Sequence, residues 1–555
     1  MNNIDNINSI NNVGNINPQN NINSNGNVNT VNPTNSINGQ GQPVFRQTAP
    51  SIPEYNNTVP AYVPYIHSPL AEEPAVLDFR EKMAKKLGGA SLLYAAFSTF
   101  CLYDNLSGIT MPFFGIATLI YIVYCLRQFD VPIKKTSWFY GSMIMGLTIS
   151  NFLTGNQGII FFNNVGVICL LFIILLHNVY DDSKWTFSKT ALSACESFSF
   201  SIMEISDFKK DMQVMKERST LKPIANNKQT AVRNVMIGLL ISVPVVGILL
   251  ALLSAADLVF SSILTKYFSF DINFGDIFGV AITFTFIFFA AYCTLRFFSK
   301  KSLNEEVTVN RNYEPLIAIT VLSLVSVIYL LFSVIQIVYL FWGGVKLPEN
   351  YTYAAYAREG FFQLLAVSII NFLMVLFVNN HFKESRVLKI LMTIISLCTY
   401  IMIASSFMRM ILYIDAYLLT TLRILVLWGL AVLALLFIAV IISIYKHDFP
   451  LFKYSIVVVG ILYLMISFAH TDRIIADYNL THMDDKTVVE STRRNTVTDY
   501  NYLKTLSTDA APVIAKYNDL WANSYFKHCE RYYNNRSMRQ FNLSAYTAKM
   551  LSEYR

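Results

Sequence analysis

The residues of this chain best suited to chemistry are charged side chains set inside or beside long apolar runs, where an ionised group is costly and persists only when used or paired. They gather in three stretches. One reads Ser254-Ala255-Ala256-Asp257-Leu258-Val259-Phe260; the second runs from Tyr351 to Phe362 and holds Tyr356, Arg358 and Glu359. The third holds Arg409, Tyr413, Asp415 and Tyr417, followed by Thr420, Thr421 and Arg423. Guanidinium groups grip phosphate or carboxylate through two parallel hydrogen bonds, and tyrosine hydroxyls add donors at headgroup depth. If Arg358, Arg409 and Arg423 converge, with Lys346 nearby, they make a site for an anionic lipid headgroup, a lipid-linked sugar or a small anion. The competing reading pairs them with Asp257, Glu359 and Asp415 as helix-clamping ion pairs, while the tyrosines form an interfacial belt. A third reading uses one of those carboxylates as the base of a transferase acting on a lipid-linked substrate.

Other constellations are absent. His177, His381, His447 and His470 end apolar runs without the HExxH or paired spacing that zinc needs. No GxSxG, Walker loop or kinase motif occurs, and Asp484-Asp485 lacks further carboxylates at ligand spacing. No catalytic, cofactor or metal set is therefore expected. Asn151, Asn163, Asn164, Gln336 and Asn371 lie in apolar runs, where interhelical hydrogen bonding explains them better than an ion path. Of seven cysteines only Cys529 falls in the polar tail, so no disulfide is expected there.

The elements that must position these residues are membrane helices. With 54% hydrophobic and 14% charged residues over 555 positions, the composition departs from that of soluble domains. A hydrocarbon core about 30 Å thick takes roughly 20 apolar residues as helix, and about eleven such stretches can be counted. They run from Leu87 to Tyr103, Ile109 to Arg127, Trp138 to Leu153, Ile159 to His177, Val235 to Phe260, Phe278 to Phe298, Leu316 to Trp342, Phe361 to Asn380, Leu388 to Leu412, Leu422 to Tyr445 and Tyr454 to Ala469. The first and third are short. The expected class is all-α: a polytopic helical membrane protein in contact with the lipid bilayer.

The net charge of +7 calls for no nucleic acid once the positive residues are located. Lys and Arg cluster around residues 80–86, 127–135, 184–233, 296–311, 383–389 and 446–453, between alternate spans, as loops on the cytoplasmic side of a bacterial plasma membrane would. An odd number of spans then puts the amino terminus inside and the tail outside. Residues 1–80 lack a basic-then-apolar start, so the first span is expected to serve as an uncleaved signal. That segment, rich in Asn and then in Pro and Tyr, is expected to be disordered and cytoplasmic. Residues 81–470 form the membrane domain, and residues 471–555 a small extracytoplasmic helical tail, in which Ser507, Asp509 and Pro512 read as a helix cap.

Within the cytoplasmic loop 184–219, apolar residues recur at Phe187, Ala191, Cys195, Phe198, Ile202, Ile205, Phe208, Met212 and Met215. Steps of three and four predict one amphipathic helix. Its apolar stripe is expected to lie in the inner headgroup layer, on the protein's own bundle, or on a second copy or partner protein recruited through Phe187 to Met215.

On particular residues the chain resembles an uncharacterised family of bacterial multi-pass membrane proteins, classed as a domain of unknown function. The resemblance runs from about Val235 to the end. It rests on Ala256-Asp257 with Phe260, on Tyr356-Ala357-Arg358-Glu359-Gly360-Phe361, on Arg409 with Tyr413, Tyr417, Thr420 and Arg423, and on a tail block of Asp499, Tyr502-Leu503, Leu506-Ser507 and Asp509-Ala510-Ala511-Pro512. The family's residue after the second tyrosine is usually glycine, where this chain has Leu418. The resemblance implies no reaction, substrate or cofactor. Taken together, the residues read as a non-enzymatic membrane component that binds an anionic ligand at the outer leaflet for transport or envelope sensing, with the transferase and a partner-recruiting scaffold as alternatives.

Overall fold

The computed structural model describes residues 73–183, 185–221, 274–303, 311–338, 353–446, 449–483, 500–534 and 536–554, with isolated positions at 238, 249, 253, 256, 257 and 260. All of them belong to one compact unit, His67–Arg555. Among the described residues the fold is all-α, with a single parallel bridge between Tyr313 and Phe382 and no β-strand.

Helix α1 (Pro74–Lys82) runs through a wider turn at Met83–Gly88 into α2 (Gly89–Leu102). Then come α3 (Thr110–Gln128), α4 (Ser137–Leu153), α5 (Gln157–Val179), α6 (Phe187–Met203), α7 (Ile205–Leu221) and α8 (Phe274–Lys300). The second half holds α9 (Pro315–Gln336), α10 (Tyr353–His381), α11 (Arg386–Tyr417), α12 (Thr421–Tyr445) and α13 (Leu451–Phe468). The tail adds α14 (Thr471–Met483), α15 (Ala511–Ile514), α16 (Leu520–Tyr533) and α17 (Leu543–Glu553). Local chemistry marks the boundaries. The Asn156 side chain accepts the Ile159 amide at the start of α5, Thr186 does the same for Lys189 at α6, and Pro315 takes the first turn of α9, where a missing N–H costs nothing.

Among the described residues eight helices, α3, α5 and α8 to α13, are long and apolar enough to cross a membrane, so the chain is a polytopic helical protein. The stretch from Leu87 to Tyr103 becomes the end of the wide turn plus the 14-residue α2, and Trp138 to Leu153 lies in the 17-residue α4. Helix α4 is at the lower limit of a spanning helix, and α2 reaches such a length only together with the turn before it. Most of Val235 to Phe260 lies outside the described residues, as do residues 1–72.

Two apolar cores divide the bundle. One is built from α3, α4, α5 and α8, and the other from α9 to α12 together with the tail. Helix α13 joins them by crossing α4 closely. A Cβ on Gly460 would collide with the end of the Met143 side chain, and one on Gly146 would stand 2.9 Å from a Leu464 methyl, so each glycine makes room for a side chain of the facing helix. Buried polar residues complete the crossing: Ser150 and Ser467 hydroxyls are 2.6 Å apart, and Asn163 Oδ1 accepts from Tyr463 and Ser467 at 2.9 Å.

The loop expected to form one long helix forms two. The helix breaks at Glu204, whose carboxylate is drawn to Arg296 and Lys300 of α8, and α7 brings Asp207 and Asp211 to the same arginine. The side chains that α6 buries are Thr190, Ser193, Ser197 and Ser201, while Phe198 and Ile202 are exposed. In α6 the apolar stripe is mostly exposed, with ring contacts from Phe187 to Phe452 of α13 and from Phe198 to Phe172 of α5, while in α7 Phe208 packs on Phe288, Phe289 and Tyr292 of α8.

Candidate functional site

The tail-bearing end of the bundle holds the residues singled out by their chemistry. Arg409 sits two turns before the end of α11 and is buried, at 6% exposure. Its Nη2 donates to Gln336 Oε1 at 3.5 Å, and the Ser405 hydroxyl donates to the same oxygen at 2.7 Å, which ties α11 to the end of α9. The guanidinium lies over Gly360 of α10. A Cβ there would collide with Arg409 Nη1 and stand 2.9 Å from Cζ, so a side chain at this position would have to push the guanidinium aside. That explains the glycine that follows Arg358-Glu359: it opens a seat for an arginine 49 positions away. Tyr356, Arg358 and Glu359 occupy the first turns of α10, and their side chains lie outside the described residues.

One turn beyond Arg409, Tyr413 packs on Tyr417 with ring centroids 5.1 Å apart, and the Arg423 guanidinium stacks on Tyr413 at 4.3 Å. Arg423 also donates to the Tyr417 and Leu418 carbonyls, so its charge caps the end of α11. Leu418 stands at φ 65° and ψ −176°, in the left-handed half of conformational space that favours glycine. The strain is held in place by the next residue: Asn479 of α14 accepts the Leu419 amide at 2.8 Å and donates to its carbonyl at 3.0 Å. Asp415 is exposed beside Tyr478, whose phenol burial raises above its usual value, with the Asp415 charge and hydrogen bond adding to the shift. Asp257 is exposed, and its carboxylate accepts the Phe260 amide at 3.4 Å. The structure therefore joins Arg409 to the Gly360 segment and Arg423 to Tyr413 and Tyr417, and gives the two arginines different surroundings.

Two polar knots escape reading by local pattern. At the tail-bearing end, Asp509 is buried where the tail meets the α4–α5 turn. Its oxygens accept the Thr154 hydroxyl at 2.5 Å and the Gly155 amide at 2.8 Å, and His470 Nδ1 lies 3.4 Å away. Burial alone would raise the Asp509 carboxyl; bonds from His470, Ser544, Thr154 and the Gly155 amide outweigh it and hold it below the usual range. His470 is raised by its bond to Asp509 against the opposing effect of burial. Nearby Asp472 accepts the Ser507 amide at 2.9 Å and is raised by burial. Asn542 completes the contact, donating to the Thr154 and Ser107 carbonyls at 2.9 Å. Ser507 caps the turn that leads into Asp509, as its sequence suggested.

At the opposite end, Arg296 is 1% exposed and Asp211 is fully buried. Arg296 Nε donates to Asp211 at 2.6 Å, Tyr292 donates to the same carboxylate at 2.7 Å, and Arg80 of α1 reaches it at 2.9 Å. Only the spacing hinted at it: Glu204, Asp207 and Asp211 recur at steps of three and four, and Tyr292, Arg296 and Lys300 at steps of four on α8. Among the described residues no group of His, Cys, Asp and Glu could hold a metal ion. His177 instead pairs with Asp182 at 2.7 Å, and Asn371 bridges Tyr329 and Thr399 of the neighbouring helices at 2.8 and 2.9 Å.

A family model described as a domain of unknown function (DUF4153) matches residues 141–517, more than half of the chain. The match begins earlier than Val235, within α4, and ends before α16, so it takes in Thr154, Gly155 and Asp509 as well as the arginine sites. No curated protein and no solved structure matches the chain.

Proposed function

The chain belongs to the DUF4153 family, a domain of unknown function, and from that premise we propose that it is a non-enzymatic component of a bacterial plasma membrane that binds an anionic ligand at the outer leaflet, in transport or envelope sensing. In this reading the chain crosses the bilayer about eleven times, α2, α4 and the Val235 to Phe260 stretch adding to the eight long helices. The Lys- and Arg-rich loops and the amino-terminal segment face the cytoplasm, and the tail faces outward. The ligand is an anionic headgroup, a lipid-linked sugar or a small anion held by Arg409 at the α9–α10–α11 seam, beside the segment that carries Gly360. Arg423 belongs to the scaffold, since its donors serve the end of α11.

One observation supports this most: a buried guanidinium on a long apolar helix, with a glycine kept beneath it so that α10 can approach. A charge at such depth is expensive, which favours a role for it beyond filling space. The test compares purified full-length protein, Arg409→Gln and Arg423→Gln by thermal melting, with phosphatidylglycerol, with phosphatidylcholine and with inorganic phosphate. A ligand that binds only the folded state raises the midpoint. Phosphatidylglycerol should protect the wild type and Arg423→Gln and fail to protect Arg409→Gln; protection by phosphate alone would assign a free anion. Equal protection of wild type and Arg409→Gln by each additive refutes the reading.

A further inference from the structure

Helix α6 presents three different faces. Thr190, Ser193, Ser197 and Ser201 form one stripe against α8, and the last two hydroxyls donate to carbonyls four residues back at 2.6 Å. The Thr190, Ser197 and Ser201 hydroxyls are therefore satisfied by carbonyls four residues back, the Ser193 hydroxyl is buried without such a bond, and the stripe is a surface of small residues, as close packing between apolar helices requires. A second sector is polar, with Glu196 exposed and Lys189 Nζ over the Trp185 ring at 5.6 Å. The third is apolar and points away from the protein, with Leu192 at 61%, Ile202 at 61% and Met203 at 68% exposure.

What covers that third face follows from its neighbour. Phe198 stands 5.6 Å from Phe172 of α5, ring to ring. Phe172 lies seven residues before the end of α5, which at 1.5 Å per residue is about 10 Å in from that end. Along the same helix Val165 and Ile168 point outward at 41% and 50% exposure, as lipid-facing residues of a span do. The apolar face of α6 is continuous with that surface. Beyond the turn at Glu204, Lys209, Lys210 and Lys216 of α7 are exposed, while Asp207 and Asp211 turn inward to the arginines.

We propose that α6 is an interfacial helix seated in the leaflet at the end opposite the tail, with its serine stripe on α8, Leu192, Phe198, Ile202 and Met203 among the acyl chains, and the α7 lysines on anionic headgroups. The occupant of the apolar face is lipid. The inference rests on the reading that α5 and α8 span the bilayer, and the experiment separates the two. Single tryptophans are added to the full-length protein as Ile202→Trp, Lys210→Trp and Phe286→Trp, the last on the exposed flank of α8 at 73% exposure. Each variant is placed, one copy per disc, in nanodiscs of phosphatidylcholine and phosphatidylglycerol with or without brominated acyl chains, and its emission is compared with wild type. The indole of Ile202→Trp should lose most of its emission to brominated lipid and little to aqueous iodide, with Lys210→Trp showing the reverse. Quenching of Ile202→Trp by iodide alone, with Phe286→Trp quenched by brominated lipid, overturns the proposal and leaves the span intact. Resistance of Ile202→Trp to both quenchers shows that protein covers the face and also overturns it. Failure of brominated lipid to reach Phe286→Trp would remove the spanning premise itself.

Discussion

Replacing Asp509 tests whether the tail is held on the bundle by one buried carboxylate. In Asp509→Asn the side chain keeps one acceptor but turns an amide donor toward either the Thr154 hydroxyl or the Gly155 amide, both of which now donate to Asp509 at 2.5 and 2.8 Å. The hydroxyl can rotate and the backbone N–H cannot, so a bond to a charged acceptor is lost, at about 1.5–3 kcal/mol. Asp509→Ala loses both, about 3–6 kcal/mol by the same measure. Cys529 supplies the assay, since its thiol is fully buried in the tail core and becomes reactive only when the tail opens. With opening and closing fast relative to modification, each 1.4 kcal/mol raises the labelling rate about tenfold. Asp509→Asn should thus label Cys529 roughly ten to a hundred times faster than wild type, and Thr154→Val should show less than additive effects in its presence. Equal labelling of wild type and Asp509→Asn would refute the reasoning, because a buried charge that holds nothing cannot be the tether.

The same knot sets a pH window. His470, raised by Asp509, contributes stability that is complete below the ordinary histidine value and lost as pH climbs through its raised one. Asp509, held low, contributes stability present above the ordinary carboxylate range and lost as pH falls through its lowered value. Asp472, raised by burial, acts oppositely to Asp509 and favours the fold at low pH. Tail opening, normalised to the unfolded chain at each pH, should therefore increase on the alkaline side, and His470→Gln should flatten that limb.

Four shorter predictions follow from other contacts. Gly360→Ala forces a Cβ into the Arg409 guanidinium and should destabilise by about 1–3 kcal/mol in a melting experiment, as overpacking does. At Leu418, relief of the strain at φ 65° offsets lost burial only for glycine, so Leu418→Gly should melt above Leu418→Ala; the reverse order would show that the strain costs nothing. Arg296→Gln leaves Asp211 undercompensated and should cost about 3–5 kcal/mol, with folded yield partly restored by adding Asp211→Asn. Asn523→Cys, an exposed position of α16, should react with an impermeant maleimide on intact cells, whereas native Cys529 is buried and stays silent.

Helix positions were legible in this chain because the bilayer imposes its thickness on local composition: α3, α5, α12 and α13 coincide within a few residues with their apolar runs. The contacts that make sites were not. Arg409 and Gly360, or Thr154 and Asp509, meet across 49 and 355 positions, and no periodicity links residues so far apart. Charge type told which side chains were costly to bury, but not which cost was met by a carbonyl, as for Arg423, and which by a seat over glycine, as for Arg409.

Helix α6 shows a different limit, because its sequence left open whether lipid, the bundle or a partner covers the apolar stripe. Its apolar stripe at steps of three and four was visible, and in water such a stripe marks the face turned to the core. In the proposed interfacial seat the driving force between helices differs from that in water: lipid tails would solvate Leu192 and Ile202 as well as a core would, while Ser193, Ser197 and Ser201 give the close approach that packing needs. A stripe that alternates apolar and small polar residues at helical spacing therefore carries two readings, and the medium decides between them. In this chain the choice is visible only beside Phe172, where α6 meets the outer surface of α5.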